Sequence, residues 1–306
     1  MPQQLYMLSI LLVPALLLDR LLGEPPRFHP LVGFGKLADW LESHLNNCTI
    51  HYGIVAWCLA VLPSSIAVWW LDTLLGGVWM SVLCGWLAIG WQSLRQHAQW
   101  VQQALLADDL PQARQKVGWL VSRDTTQLDS PQISRACIES VLENGSDAVF
   151  APLFWLIIGG APAVVLYRLS NTLDAMWGYR SERFERFGKW AARVDDALNW
   201  IPARLTALTY ALCGQFSGAI HAWRTQGVRW YSPNAGVVMA AGAGALQVQL
   251  GGDAVYAGKT KARPPLGAGA IPDAAAITRA IRLLDRGVYL WAVITLIIGG
   301  SSVFLA

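Results

Sequence analysis

The sequence predicts an all-α, polytopic integral membrane protein, and three observations carry that expectation. Hydrophobic residues make up 54% of the 306 and charged residues only 14%, against about 25% charged in soluble chains; mean hydropathy is +0.38. Four stretches without formal charge, residues 1–18, 54–71, 73–94 and 287–306, approach the roughly 20 apolar residues that a spanning helix needs. No run alternates in the manner of a strand, so a single membrane-embedded helical domain over residues 1–306 is expected. The same numbers exclude disorder and a disulfide-stapled secreted domain. Cys48, Cys58, Cys84, Cys137 and Cys213 are scattered without a CxxC pair, which predicts neither zinc nor a disulfide framework. A net charge of +3 is too small for a nucleic-acid partner.

Residues 1–18 carry no basic leader and no small-x-small pattern before Asp19, so they read as a retained span and not as a signal peptide. Asp72 reads as the turn between the second and third stretches. Trp57, Trp69, Trp70, Trp91 and Trp291 fall near stretch ends, where indole favours the water–lipid boundary. Two further segments are ambiguous. Residues 148–167 are interrupted by Gly159-Gly160-Ala161-Pro162, which predicts two half-length helices, re-entrant or buried. Residues 205–220 are short and include Thr206, Thr209, Gln215 and Ser217. If only the four stretches span, all 23 Lys and Arg lie on one face. The positive-inside rule then puts the polar loops in the cytoplasm.

The polar residues gather in a few clusters within those loops. Gly23-Glu24-Pro25-Pro26 with His29-Pro30 follows the first stretch, and Arg123-Asp124-Thr125-Thr126 comes next. Arg135, Glu139, Glu143 and Asp147 then recur every four residues, forming one helical stripe. For Arg135 and Glu139 the favoured reading is a solvated face with i,i+4 pairs. Asn144 and Asp147 lie beside Glu143 and carry the polar cluster on toward Pro152. After the broken segment come Asn171-Thr172-Leu173-Asp174-Ala175-Met176-x-Gly178-Tyr179 and Arg193-Val194-Asp195-Asp196-x-x-Asn199-x-x-Pro202-Ala203-Arg204. Ser232-Pro233-Asn234-Ala235-Gly236 and Gly251-Gly252 follow. Residues 252–260 look like a phosphate-binding P-loop, but five residues separate the glycines instead of four and prolines follow at 264 and 265, so that reading is rejected.

In order and spacing, from about Asp19 to Gly258, these clusters resemble the CobD/CbiB family of cobalamin-biosynthesis proteins. The resemblance implies an adenosylcobinamide-phosphate synthase of the bacterial inner membrane. Such an enzyme joins adenosylcobyric acid to (R)-1-amino-2-propanol or its O-phosphate through an amide bond driven by ATP. The corrinoid is then substrate, ATP a co-substrate, and other late corrinoid enzymes are expected neighbours. An ATP-driven amide synthesis needs cations on phosphate, Mg²⁺ held by one or two carboxylates plus phosphate oxygens, and a general base for the amine. The sequence supplies those types. Glu143, Asp147, Asp174 and Asp196 are expected to be catalytic, and Asp195, Asp196 and Asp174 to hold Mg²⁺. Arg123, Asp124, Asn144, Asn171, Arg193, Asn199, Arg204 and Asn234 are expected to bind substrate or phosphate. The rival readings are a transporter, since broken apolar segments mark carrier sites, and a non-enzymatic scaffold for corrinoid intermediates.

Overall fold

A computed structural model describes residues 2–25, 27, 29–178, 181–256 and 258–304. Met1, Leu305 and Ala306 of the outer stretches, and Pro26 and Tyr179 of the motifs, lie outside the described residues. The helices run α1 (Pro2–Leu22), α2 (Pro30–Leu45), α3 (Ile50–Leu75), α4 (Val78–Ala88), α5 (Trp91–Leu106), α6 (Leu110–Gly118), α7 (Ser130–Gly145), α8 (Ala151–Trp177), α9 (Lys189–Cys213), α10 (Phe216–Thr225), α11 (Ala235–Leu246) and α12 (Ala274–Phe304). A π-helical turn, Ser146–Phe150, follows α7. Short strands β1 (Leu250–Gly251), β2 (Ala254–Tyr256), β3 (Lys259–Lys261) and β4 (Pro265–Leu266) fill one loop. They pair antiparallel, Leu250 with Leu266 and Val255 with Thr260. At two or three residues each they are too short to show alternation in sequence, which is why only helix and loop were expected there.

The chain forms two compact units: Met1–Gly90 with Ala151–Asn199 and Ala292–Ala306, and Trp91–Phe150 with Trp200–Trp291. In the first unit the core joins Phe34, Ala38 and Leu41 of α2 to Ala56, Trp57, Ala60 and Val61 of α3 and to Leu169, Leu173 and Trp177 of α8. The opposite face of α3 carries Val55, Leu59, Leu62, Ile66 and Trp69, all exposed. Steps of three and four residues put them on one stripe, leaving a long apolar face uncovered by protein. In the second unit α11, Ala-Gly-Val-Val-Met-Ala-Ala-Gly-Ala-Gly-Ala-Leu, is buried almost throughout. Its small residues allow close approach: a Cβ on Gly242 would meet Leu142 Cδ2 at 2.4 Å, and one on Gly244 the Gly218 carbonyl oxygen at 2.2 Å.

Several expected boundaries are corrected. Residues 73–94 do not form one helix. α3 continues through Asp72, and the turn is made by Gly76 and Gly77, whose φ values of 81° and 72° suit glycine. α4 has 11 residues and ends where Ile89 turns extended; at 1.5 Å per residue it reaches about 16 Å, half a hydrocarbon core of ~30 Å. Residues 205–220 divide at Gly214-Gln215 between α9 and α10, where a Cβ on Gly214 would meet that of Ala245 at 2.7 Å. The interruption at 159–160 is present: Gly159 and Gly160 leave helical geometry, Gly160 at φ 60°. The Ser81 hydroxyl accepts the Ala161 N–H at 2.9 Å, capping the second half of α8 from another helix. Two runs, Ile50–Leu75 and Ser130–Trp177, are long and apolar enough among the described residues to cross a membrane, where four spans were expected.

Candidate functional site

The first unit assembles a network around Asp195. Asp195 and Asn199 lie four residues apart on α9, so both present to the same neighbour. Asp195 Oδ1 accepts from Asn199 Nδ2 at 3.0 Å and from Asn171 Nδ2 of α8 at 3.1 Å. Asn171 Oδ1 accepts from Arg168 Nη1 at 3.1 Å, and Tyr167 donates its hydroxyl to Asn199 Oδ1 at 2.9 Å. Asp195 is 8% exposed and Asn199 2%. Burial lifts the Asp195 carboxyl above the ordinary carboxylate range, while the two amides pull it back down. The two longest sequence motifs therefore meet, and Tyr167 and Arg168, which sequence reasoning missed, complete the network. They precede Asn171 in α8 by four and three residues, about one helical turn, and that was the available signal.

Asp174 and Asp196 of this unit are half-buried, and burial raises the Asp196 carboxyl. Gly178 is fixed by Asp174: a Cβ there would stand 1.9 Å from Asp174 Oδ1. Arg193 is exposed. His29 caps α2, its ring nitrogen accepting the Leu31 N–H at 3.3 Å.

The second unit holds a denser charge cluster. Glu139 is 2% exposed. Arg263 meets it in a two-pronged pair, Nη1 to Oε2 at 3.0 Å and Nη2 to Oε1 at 3.1 Å, Arg123 Nη2 donates to Oε2, and the Gly251 N–H donates to Oε1 at 2.7 Å. Arg263 Nε also donates to the Gly252 carbonyl at 2.8 Å. The reading of Glu139 as a solvated stripe is thus overturned. The stripe faces the loop that carries β1–β4, whose buried arginine sequence spacing did not reveal. Arg263 lies 124 positions away in a segment with no helical period; a lone Arg between Ala262 and Pro264-Pro265 was the faint signal. Arg123 spends its charge on Glu139, and Gly251-Gly252, with φ of 73° and 75°, deliver backbone groups to that cluster.

One turn further, Glu143 is half-buried at the end of α7. Burial and the negative charge of Glu139 push its carboxyl up to about 7, against the pull of Arg263 and Arg123. Asn144 Nδ2 donates to the Ser140 carbonyl at 3.1 Å. Asp147 sits on the π turn, a local form frequent at functional positions. Just before it, in the last turn of α7, Tyr210 donates its hydroxyl to the Leu142 carbonyl at 3.0 Å, and only a glycine fits at 145, since a Cβ would stand 2.4 Å from that hydroxyl oxygen. Arg204 of α9 donates to Asn234 Oδ1 at 2.7 Å and stacks 4.4 Å from the Trp200 ring, so the Pro-Ala-Arg and Ser-Pro-Asn motifs also meet. The Asp124 carboxylate accepts from the Thr126 N–H at 2.9 Å and its hydroxyl at 2.7 Å, a local turn that holds the carboxyl below its usual range. Among the described residues no group of three or more His, Cys, Asp or Glu forms a metal cage.

A helical protein with two buried polar networks, each built from separated sequence motifs, is the class defined so far. The chain belongs to the CobD/CbiB family, whose model, described as CobD/Cbib protein, matches residues 12–284. It is 58% identical over 293 residues to the cobalamin biosynthesis protein CobD of Stutzerimonas stutzeri, covering 94% of this chain and 96% of that relative. It is 55% identical over 299 residues to the protein of that name from Chromobacterium violaceum, covering 94% and 96%. A Mycobacterium tuberculosis relative with the same name is 40% identical over 293 residues, covering 90% and 92%. No solved structure matches.

Proposed function

We propose that this protein acts in cobalamin biosynthesis as an ATP-dependent C–N ligase of the bacterial inner membrane, joining adenosylcobyric acid to (R)-1-amino-2-propanol or its O-phosphate. The observation that carries the reading is near full-length similarity to proteins named for cobalamin biosynthesis, at 58% and 55% identity. The exposed apolar stripe on α3 supports the membrane setting, and the one-sided Lys and Arg distribution supports cytoplasmic polar loops.

The chemistry proceeds in two stages. A carboxylate oxygen of the corrinoid attacks the γ-phosphorus of ATP, the β–γ phosphoanhydride bond breaks, ADP leaves, and an acyl phosphate forms. The amine nitrogen then attacks the acyl carbon, phosphate leaves with the bonding pair, and the amine proton passes to a base. Glu143 suits that last role: a carboxyl with a pKa of about 7 is matched to proton transfer near neutrality. Asp174 and Asp196 fit the modest carboxylate share that Mg²⁺ takes when phosphate supplies its other ligands. Asp195 fits less well, because its Oδ1 already receives two amides. Mg²⁺ bound with ATP would supply charge neutralisation on the phosphates. Arg193, exposed, is assigned to a phosphate, and Arg204 with Asn234 to substrate orientation.

Purified protein in detergent, given ATP, Mg²⁺, adenosylcobyric acid and either amine, should yield the amide product by mass spectrometry. Absence of an ATP-dependent product with both amines, alongside corrinoid uptake into reconstituted vesicles, would replace the ligase with the transporter.

A further inference from the structure

Outside both networks, the second unit contains a pocket of about 480 Å³, within the ~300–1,000 Å³ range of ligand sites. One wall is α12, which presents Arg279, Arg282 and Arg286. Steps of three and four residues put all three guanidinium groups on one face, and all three are exposed. The other wall is the end of α9 at Cys213 and Gly214 and the end of α11 through Gln247. No Asp or Glu is among the described residues that line it. The C-terminal ends of helices carry partial negative charge, and Arg286 answers that of α9, its Nη1 donating to the Cys213 carbonyl at 3.4 Å. That accounts for one arginine. Arg279 and Arg282 make no ion pair among the described residues, and two like charges on one face of a pocket without a carboxylate suit an anion.

The flank of the pocket indicates which anion. Leu212 and Phe216, on either side of Cys213-Gly214, are 59% and 52% exposed, and Tyr289, one turn beyond Arg286, is 55% exposed. In sequence the arginines directly precede the charge-free residues 287–306. Clustered basic residues beside an apolar stretch are where anionic lipid head groups bind. We propose that this pocket holds the phosphate of an anionic phospholipid, with Arg279, Arg282 and Arg286 around the head group and Leu212, Phe216 and Tyr289 along the acyl chains. The inference rests on the membrane reading above, not on the ligase chemistry.

The test reconstitutes the full chain into vesicles of phosphatidylcholine alone and of an equimolar mixture with phosphatidylglycerol. After detergent extraction, the lipid retained per protein is measured by mass spectrometry. The wild type should enrich phosphatidylglycerol over phosphatidylcholine. The Arg279→Gln/Arg282→Gln variant, which leaves the Arg286 helix-end bond in place, should cut that retention roughly thirtyfold. Arg279→Lys/Arg282→Lys should keep most of it. Thermal unfolding of each variant separates lost binding from lost folding, and a misfolded double variant is replaced by Arg282→Gln alone, expected to lose roughly fivefold. Equal retention by folded Gln variants and wild type would overturn the proposal. Displacement of the lipid by inorganic phosphate or ATP would overturn it in favour of a soluble phosphate ligand. Insertion into phosphatidylcholine without preference for phosphatidylglycerol fails the pocket alone, whereas a chain that does not insert at all fails the membrane reading with it.

Discussion

The two networks solve the same problem, a buried carboxylate, by different means. Asp195 is held by two neutral side-chain amides, with Arg168 reaching the network through Asn171. Glu139 is held by two guanidinium groups and a backbone N–H, all nearly inaccessible to water. Amides leave the carboxylate's charge in place and can give way to a ligand at modest cost. Two arginines neutralise it and lock three chain segments together. The Asp195 network thus holds a carboxylate without a directly bonded cation, whereas the Glu139 cluster ties the loop of β1–β4 to α7 beside Glu143 through ion pairs.

The sharpest way to break that contrast is Glu139→Gln. It strands two buried arginines, and breaking a buried ion pair from one side costs about 3–5 kcal/mol. Denaturant unfolding should show a loss of that size, together with faster amide exchange at Gly251. A variant as stable as wild type would mean the cluster does not pin the loop. Asp195→Asn should cost less, about 1–3 kcal/mol, because neutral partners can re-pair with the new amide. If it proves as damaging as Glu139→Gln, the two networks are alike. Tyr167→Phe removes the neutral hydrogen bond to Asn199 and should cost about 1 kcal/mol, measured by the same unfolding.

A further test sharpens the link between Glu139 and Glu143. The Glu143 carboxyl is raised from 4.5 to about 7, so the folded state holds a proton that the unfolded chain loses. The resulting penalty is absent below about pH 4.5, grows as pH rises, and is complete above about 7. Glu143→Gln removes it, so the variant should gain stability on wild type across that window. If Glu143 is the base, the acidic limb of kcat/KM should lie near pH 7 and shift to lower pH when the Glu139 charge is removed, provided the loop remains in place. A limb that shifts the other way would separate the two residues.

Much of the Asp195 network was legible because its signals are local. Asn171, Asp195 and Asn199 stand in the two longest polar motifs, which were expected to contribute to one site, and the three side chains meet. The break at Gly159-Gly160 was legible for the same reason. The Glu139 cluster was not, because a charge on a helical stripe reads as solvated unless its distant partner is known. Arg263 sits in a segment whose shape comes from strand pairs too short to leave a period. The extent of α4 was hidden because hydropathy counts apolar residues and is blind to the two left-handed glycines that start a new helix.

The bond from the Ala161 N–H to the Ser81 hydroxyl carries a consequence for how the chain assembles. A helix's first turn has no internal acceptors for its amide hydrogens, and the second half of α8 receives one from α4, 80 positions earlier. That half-helix therefore has this cap only where α4 is docked against it, which couples the two elements. Deuterium uptake at the Ala161 amide would then report on the docking of α4, and Ser81→Ala should speed exchange at that amide while leaving the first half of α8 protected.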